Sequence, residues 1–368
     1  MSSSTLQSVL AAFDPELPLE RAETIPNTWY TSPEVYDTER AAVFARTWQM
    51  VGLSADVASP GSFLTTEVAG DPILVIRAED GVLRAFFNVC RHRAAPIVNE
   101  PCGSVTKLRC RYHGWTYNLS GRLIGLPEFD GVQDFCKEDN GLPEVSVGEW
   151  GGMVWVYLDP PRELLESFLR PIASWLDARG GMGLTWHARK SYELACNWKV
   201  YVDNYLDGGY HVNYVHPQLA DVIDYRDYRT VCDAHTVVQT SPLKPAGGVA
   251  GRTRSGDAAY WWVYPNFMLN ATAGVLDTNL VQPLGVDRCR VVFDFYFSPD
   301  ASEEFKRDSI AMGEQVQDED IRICEEVQIG LNSRSYSTGR FSVKRENGGH
   351  YFHQMLGRAL QSYGERPA

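Results

Sequence analysis

The chain of 368 residues contains no stretch approaching the roughly 18 to 20 consecutive apolar residues that a membrane-spanning helix requires. It has no excess of basic residues either: 47 acidic against 34 basic side chains give a formal net charge of −13. Such a balance repels nucleic acid and anionic membrane surfaces. A small-molecule substrate and a protein partner are therefore expected. The first residues, MSSSTLQSVLAAFDPELPLE, are polar and acidic, without the basic start and apolar core of a signal peptide. No glycine-rich nucleotide fingerprint, internal repeat or low-complexity segment is evident. The eight cysteines show no paired framework. Together these features predict a reduced, cytoplasmic protein that carries no flavin or nicotinamide of its own.

Apolar content of 44% is ample for a core, and the length suggests two domains behind a lead-in. Residues 1–48 are expected to form a helical lead-in that packs on the C-terminal part. Within it, residues 32–48 read as one helix, with Ser32 as N-cap, Pro33 at the first helical position, and Tyr36, Val43, Phe44 and Trp48 at helical spacings. From 49 to 159 the pattern is all-β: the apolar runs 72–77, 81–87 and 151–158 are split by turns, and Glu79-Asp80-Gly81 signals a hairpin. Pro160-Pro161 marks a boundary. Residues 160–368 mix strands and helices: 226–300 alternate like an antiparallel sheet, and 302 to about 330 read as an acidic helix. The fold class is α+β.

Two dense motifs carry the chemistry. Cys90-Arg-His92 and Cys110-Arg-Tyr-His113 read C-x-H-x17-C-x2-H, each cluster supplying one thiolate and one imidazole. A zinc finger instead groups Cys with Cys and His with His. Mixed clusters on two hairpin tips suit a [2Fe–2S] centre with one iron held by two Cys and the other by two His, whose neutral imidazoles raise the reduction potential. Cys102, between the clusters, reads as a loop or packing residue.

The second motif runs from Asn197 to Pro217. His211 and His216 are five apart, off one face of a regular helix, but Gly208-Gly209 and Pro217 predict an irregular backbone that can turn both rings to one metal. Two His and a carboxylate form the facial triad of non-haem Fe(II) oxygenases. The carboxylate must come from further along the chain.

CRHRAAP and CRYHGWTYNLSGRL resemble the Rieske domain of the aromatic-ring-hydroxylating oxygenases, and the pattern N-Y-x-x-x-x-Y-H-x-x-x-x-H extends the resemblance over nearly the entire chain. The resemblance implies an all-β Rieske domain followed by a helix-grip-like catalytic domain. It implies a Rieske cluster on Cys90, His92, Cys110 and His113, and mononuclear Fe(II) on His211, His216 and Asp320. Asp318 and Glu319 are the nearby alternatives to Asp320, with Glu325 and Glu326 on a solvated face. O2 would be the co-substrate. Electrons would come from a flavin/iron–sulfur reductase or ferredoxin, with NAD(P)H entering only through it. His92 and His113 would form the exposed edge facing the next subunit of a homotrimer.

The family's acidic residue three before the first ligand histidine, which bridges the two centres, is here Gly208. Asp207 is the first replacement and Asp203 the second. The variant DNYLDGGYHV is similar to that of choline-oxidising family members, which implies a quaternary ammonium substrate of choline, betaine or carnitine type. Trp261, Trp262 and Tyr264 are candidates for a cation–π cage, although the same segment could pack a sheet core. The alternatives are an aromatic-ring hydroxylase or demethylase and, from another class, a Rieske electron carrier without mononuclear iron.

Overall fold

The computed structural model describes residues 3–178, 183–244, 257–272 and 274–364. The chain divides into two compact units, one of residues 44–168 and one of residues 1–43 with 169–368. The divisions fall at Phe44 and Phe168, against the expected 49 and 159. Residues 32–48 do not form one helix. Ser32 does cap it, its hydroxyl accepting from the Val35 N–H at 3.4 Å, but the helix Pro33–Ala42 stops at Val43 and a 3-10 turn, Phe44–Arg46, follows. Helical spacing continues past Ala42, yet the chain there passes from one unit into the other.

Unit 44–168 is built on a seven-stranded sheet in the order Gln49–Leu53, Met153–Tyr157, Glu144–Trp150, Leu83–Phe87, Asp71–Arg77, Ser62–Val68, Cys102–Ser104. The expected hairpin is present: Arg77 pairs Leu83, and the turn closes through Ala78 N–H to Val82 O at 2.9 Å. Gly81 has φ +79°, the left-handed region open to glycine. A small sheet of Leu108–Arg109, Thr116–Tyr117 and Leu123–Gly125 stands beside it. Phe63, Leu74, Phe86, Leu108, Trp115 and Tyr117 are among the residues of a shared apolar core that also takes in Cys90 and Cys110. The two sulfurs thus sit in a dry interior, while the segments after them reach the surface.

The other unit carries a seven-stranded antiparallel sheet in the order Thr185–Leu194, Arg288–Phe297, Val275–Gly285, Phe267–Thr272, Asp257–Val263, Thr236–Pro242, Arg229–Asp233. Its long acidic helix, Glu303–Leu331, starts at Ser302, whose hydroxyl accepts from Phe305 N–H at 3.2 Å. A second long helix, Asn347–Gly364, was not foreseen. One buried ion pair ties the lead-in to the helix Trp198–Tyr205. Lys199 Nζ lies 2.7 Å from Glu39 Oε1, both side chains fully buried, and Trp198 Nε1–H donates to Glu39 Oε2 at 2.8 Å. Among the described residues, no helix is long and apolar enough to cross a membrane.

Candidate metal centres and pocket

The two Cys/His loops are built alike. Cys90 N–H donates to Ala95 O at 2.8 Å and Ala94 N–H to Cys90 O at 3.0 Å; Cys110 N–H donates to Trp115 O at 2.8 Å and Gly114 N–H to Cys110 O at 3.1 Å. The fourth residue after each cysteine is left-handed, Ala94 with φ +59° and Gly114 with φ +73°. The two loops thus close with the same turn. The histidine rings meet edge to face at 4.6 Å, His92 stacks on Trp115 at 4.9 Å, and His113 stacks on the exposed Tyr112 at 3.8 Å. Tyr117 Oη lies 3.5 Å from Cys90 Sγ and accepts from Arg91 N–H at 3.1 Å. Ahead of the first loop, buried Asn88 accepts from Ile97 and Val98 N–H through Oδ1 and donates to Val98 O at 2.7 Å. The buried Nδ1 of His92 has no hydrogen-bond partner. A buried ring nitrogen without a proton acceptor, two buried sulfurs and a neighbouring imidazole suit a [2Fe–2S] group.

The second centre is assembled across a broken helix. Helix Trp198–Tyr205 ends, Gly208 and Gly209 take φ +69° and +70°, and short helices Val212–Val215 and Pro217–Val222 follow. This is the irregularity expected from Gly-Gly and Pro217. His211 and His216 then face Asp320 on the long helix. Among the described residues, these three are the His/Cys/Asp/Glu set whose ligand atoms all lie within 4.8 Å of one another. Asp320 Oδ1 is 3.1 Å from His216 Nε2 and 3.9 Å from His211 Nε2.

The outer nitrogens are fixed by other carboxylates. His211 Nδ1 is 2.5 Å from Asp207 Oδ2, and His216 Nδ1 is 2.7 Å from Glu319 Oε2. A carboxylate accepts, so each Nδ1 carries a proton and each Nε2 is turned toward Asp320. Asn204 Nδ2 donates to Asp320 Oδ1 at 2.7 Å. Burial opposes charge on His216, but Asp320 and Glu319 outweigh it and raise its pKa. Two imidazoles and one carboxylate, each oriented from behind, fit a facial-triad Fe(II).

The remaining acids sort clearly. Asp318 is exposed, and Glu319 backs His216. Glu326 is exposed; Glu325, expected on the same solvated face, instead accepts from Ala195 N–H at 2.9 Å. Asp203 hydrogen-bonds neither metal-site histidine. Tyr30 donates to its Oδ2 at 2.6 Å, and His353 Nε2 lies 2.8 Å from its Oδ1. Because His353 Nδ1 accepts from Ile25 N–H at 3.1 Å, it is Nε2 that holds the proton. Gly208 cannot host the family's usual acid: a Cβ there would collide with the backbone carbonyl of Arg345.

A cavity of about 190 Å³ opens on His211, His216 and Asp320. Its far wall is the sheet. Gln239, Tyr260, Asn270 and Asp277 form one cross-strand row on it, each paired with the next. Tyr228 stacks on Tyr260, ring centroids 6.3 Å apart. The expected cage of Trp261, Trp262 and Tyr264 is not on this wall. Trp261 lies on the opposite face of the strand, edge-on to Trp175. Trp262 shares the face of Tyr260 but sits beyond the cavity, against Phe352 and Tyr264, with Nε1–H donating to Pro265 O at 3.1 Å. Asn204, Tyr260 and Asp277 were missed at the sequence level, and Glu319 was weighed only as an alternative ligand to Asp320. Of those missed, only Asn204 had a signal, as part of the N-Y pattern.

A model of the Rieske [2Fe–2S] domain matches residues 47–136, and one of the ring hydroxylating alpha subunit (catalytic domain) matches residues 182–362. The chain is 37% identical over 367 residues to the chloroplastic choline monooxygenase of Arabidopsis thaliana, covering 96% of this chain and 86% of that one. It is 30% identical over 359 residues to the carnitine monooxygenase oxygenase subunit of Escherichia coli K12, covering 93% and 95%. The solved structure of the quaternary ammonium Rieske monooxygenase CntA with L-carnitine superposes with TM-score 0.80 at 29% identity over 96% of this chain and 99% of that one. With two sites whose donor sets fit a Rieske cluster and a mononuclear iron, and with relatives matched over nearly its full length, the chain belongs to the Rieske non-haem iron oxygenases, oxidoreductases of the ring-hydroxylating alpha-subunit family.

Proposed function

We propose that this oxygenase hydroxylates a quaternary ammonium compound of the choline, betaine or carnitine type, as a monooxygenase fed by a separate reductase. The observation that carries this reading is the 37% identity, over 96% of the chain, to a protein named choline monooxygenase. A tyrosine-lined cavity with an acid in its sheet wall supports it, because aromatic faces and carboxylates are what a cation without N–H groups can use. The likeness to naphthalene 1,2-dioxygenase, at 20% identity, is one of fold alone.

In this proposal Cys90 and Cys110 hold one iron of the cluster, His92 and His113 the other, and His211, His216 and Asp320 hold the mononuclear iron. When bound, these groups supply electron storage and O2 activation. The chain itself orients the two imidazoles through Asp207 and Glu319, fixes Asp320 through Asn204, and holds the substrate carbon against the sheet wall. Asp207 is the candidate for the link to a neighbouring cluster, since Gly208 can carry no side chain. A homotrimer in the cytoplasm, passing electrons between subunits, completes the reading; inter-subunit electron transfer is described for CntA. A pure electron carrier would need no His211–His216–Asp320 set, and three iron atoms per chain rather than two would exclude it.

The test is product analysis during reductase-driven O2 uptake with choline, glycine betaine, carnitine and benzoates. An aldehyde or a demethylated amine is expected. A hydroxylated or demethylated aromatic as the main product would overturn the reading.

A further inference from the structure

Three acids line the cavity: Asp207, Asp320 and Asp277. Asp207 is engaged with His211 and Asp320 belongs to the metal set. Asp277 has no part in either. It stands on the sheet wall with Oδ2 fixed from two sides, by Asn270 Nδ2 at 2.7 Å and Asn279 Nδ2 at 3.1 Å. The Asn270 amide is itself oriented, since Tyr205 Oη–H donates to its Oδ1 at 2.7 Å. Among the described residues, no hydrogen bond reaches Asp277 Oδ1, and no Lys or Arg lines the cavity. Asp277 is therefore a carboxylate without a cation, clamped by neutral amides, paired across the strands with Asn270 and Phe295, in a cavity that Tyr260 and Phe293 also line. Burial pushes its pKa up to about 6, the mark of a site that lacks a counter-charge.

A trimethylammonium head has no N–H to donate. It is recognised by charge at contact distance and by aromatic faces, and both act most strongly where water is excluded. We propose that Asp277 is the counter-charge that receives the substrate's quaternary ammonium group, so that the pocket selects net-cationic quaternary ammonium alcohols over carboxylate-bearing zwitterions. A betaine or carnitine would bring its own carboxylate into a cavity already holding three acids and, among the described residues, no Lys or Arg. This inference rests on the quaternary ammonium reading and narrows it to one substrate class and one residue.

The experiment measures anaerobic binding to the iron-loaded enzyme of choline, of its neutral carbon isostere 3,3-dimethylbutan-1-ol, and of glycine betaine. Turnover of choline is scored separately. Wild type is expected to bind choline at least about tenfold tighter than the isostere, and glycine betaine more weakly than choline. Asp277→Asn, which keeps shape and hydrogen bonding, is expected to lower choline affinity about 10- to 100-fold while leaving the isostere within about threefold. Asp277→Glu should restore part of the preference. The inference is overturned if wild type binds the isostere as tightly as choline, if it prefers glycine betaine, or if Asp277→Asn keeps the preference. The wild-type ratios decide even if the variants do not fold. If wild type turns over no quaternary ammonium compound at all, it is the functional reading that fails, before Asp277 is tested.

Discussion

Asp207 holds His211 from behind. Its Oδ2 takes both the Nδ1 and the backbone N–H of His211, at 2.5 and 2.9 Å, and its Oδ1 takes Tyr210 N–H at 3.0 Å. Partners of metal-ligating histidines typically contribute about 10- to 100-fold in metal affinity or activity. Asp207→Asn is expected to reduce product formation by that order with the cluster spectrum intact. The variant should also lose mononuclear iron to a chelator faster than wild type. Unchanged turnover together with unchanged iron retention would remove Asp207 from the centre. The grouping of His211 with His216 could be read from a motif and its spacing, whereas Asp320 came from the family resemblance with Asp318 and Glu319 beside it. Glu319 was weighed only as a ligand, because spacing alone cannot show that it stands behind His216 rather than beside it. The aromatic cage went wrong for a related reason. Trp261 and Trp262 look equivalent in the sequence, but alternation along the strand sends one to the far face, and the helix packing of Phe352 covers the other.

At the scale of elements, the Gly208-Gly209 break decides the site. Gly208 has φ +69°, and its Cα faces the Arg345 carbonyl. Gly209 packs on the Tyr228 ring, where a Cβ would lie 3.0 Å away. Placing the family's acid back at this position is therefore expected to fail. Gly208→Asp combines a left-handed backbone, costing about 1 kcal/mol or more, with a collision against main chain that cannot rotate away. A lower melting temperature and loss of turnover are expected, the calorimetric scan being the direct check; a stable variant with wild-type turnover would contradict this backbone account. Turn chemistry made the Asp71–Arg77 and Leu83–Phe87 hairpin readable in the sequence. The strands Leu108–Arg109 and Thr116–Tyr117 were not, since two residues carry no period. Helix Asn347–Gly364 was obscured by its Asn-Gly-Gly opening, which reads as a turn.

At the scale of the whole molecule, the proposed trimer has a sharp consequence. A His92→Ala chain and a His211→Ala chain should each be inactive. Subunits carrying the two changes, assembled together, are expected to recover product formation, because the cluster of one chain serves the iron of another. Mixed assemblies, verified by mass, that remain inactive would argue for transfer within one chain. The division into an all-β and a mixed part could be read from the sequence. The assignment of Asp277 could not, because its nearness to His211 depends on four strands pairing in register, and pairing is not a local property.

That register also works as a ruler. Gln239, Tyr260, Asn270 and Asp277 occupy successive strands, so neighbouring positions are offset by one strand spacing, about 4.8 Å. Exchanging the identities of 270 and 277 would slide a negative charge sideways by that step while leaving the metal ligands, which sit on other elements, untouched. A wall organised this way lets a lineage retune which end of an elongated cation lies beneath the iron by trading side chains along one line, without rebuilding the oxygen-activating centre.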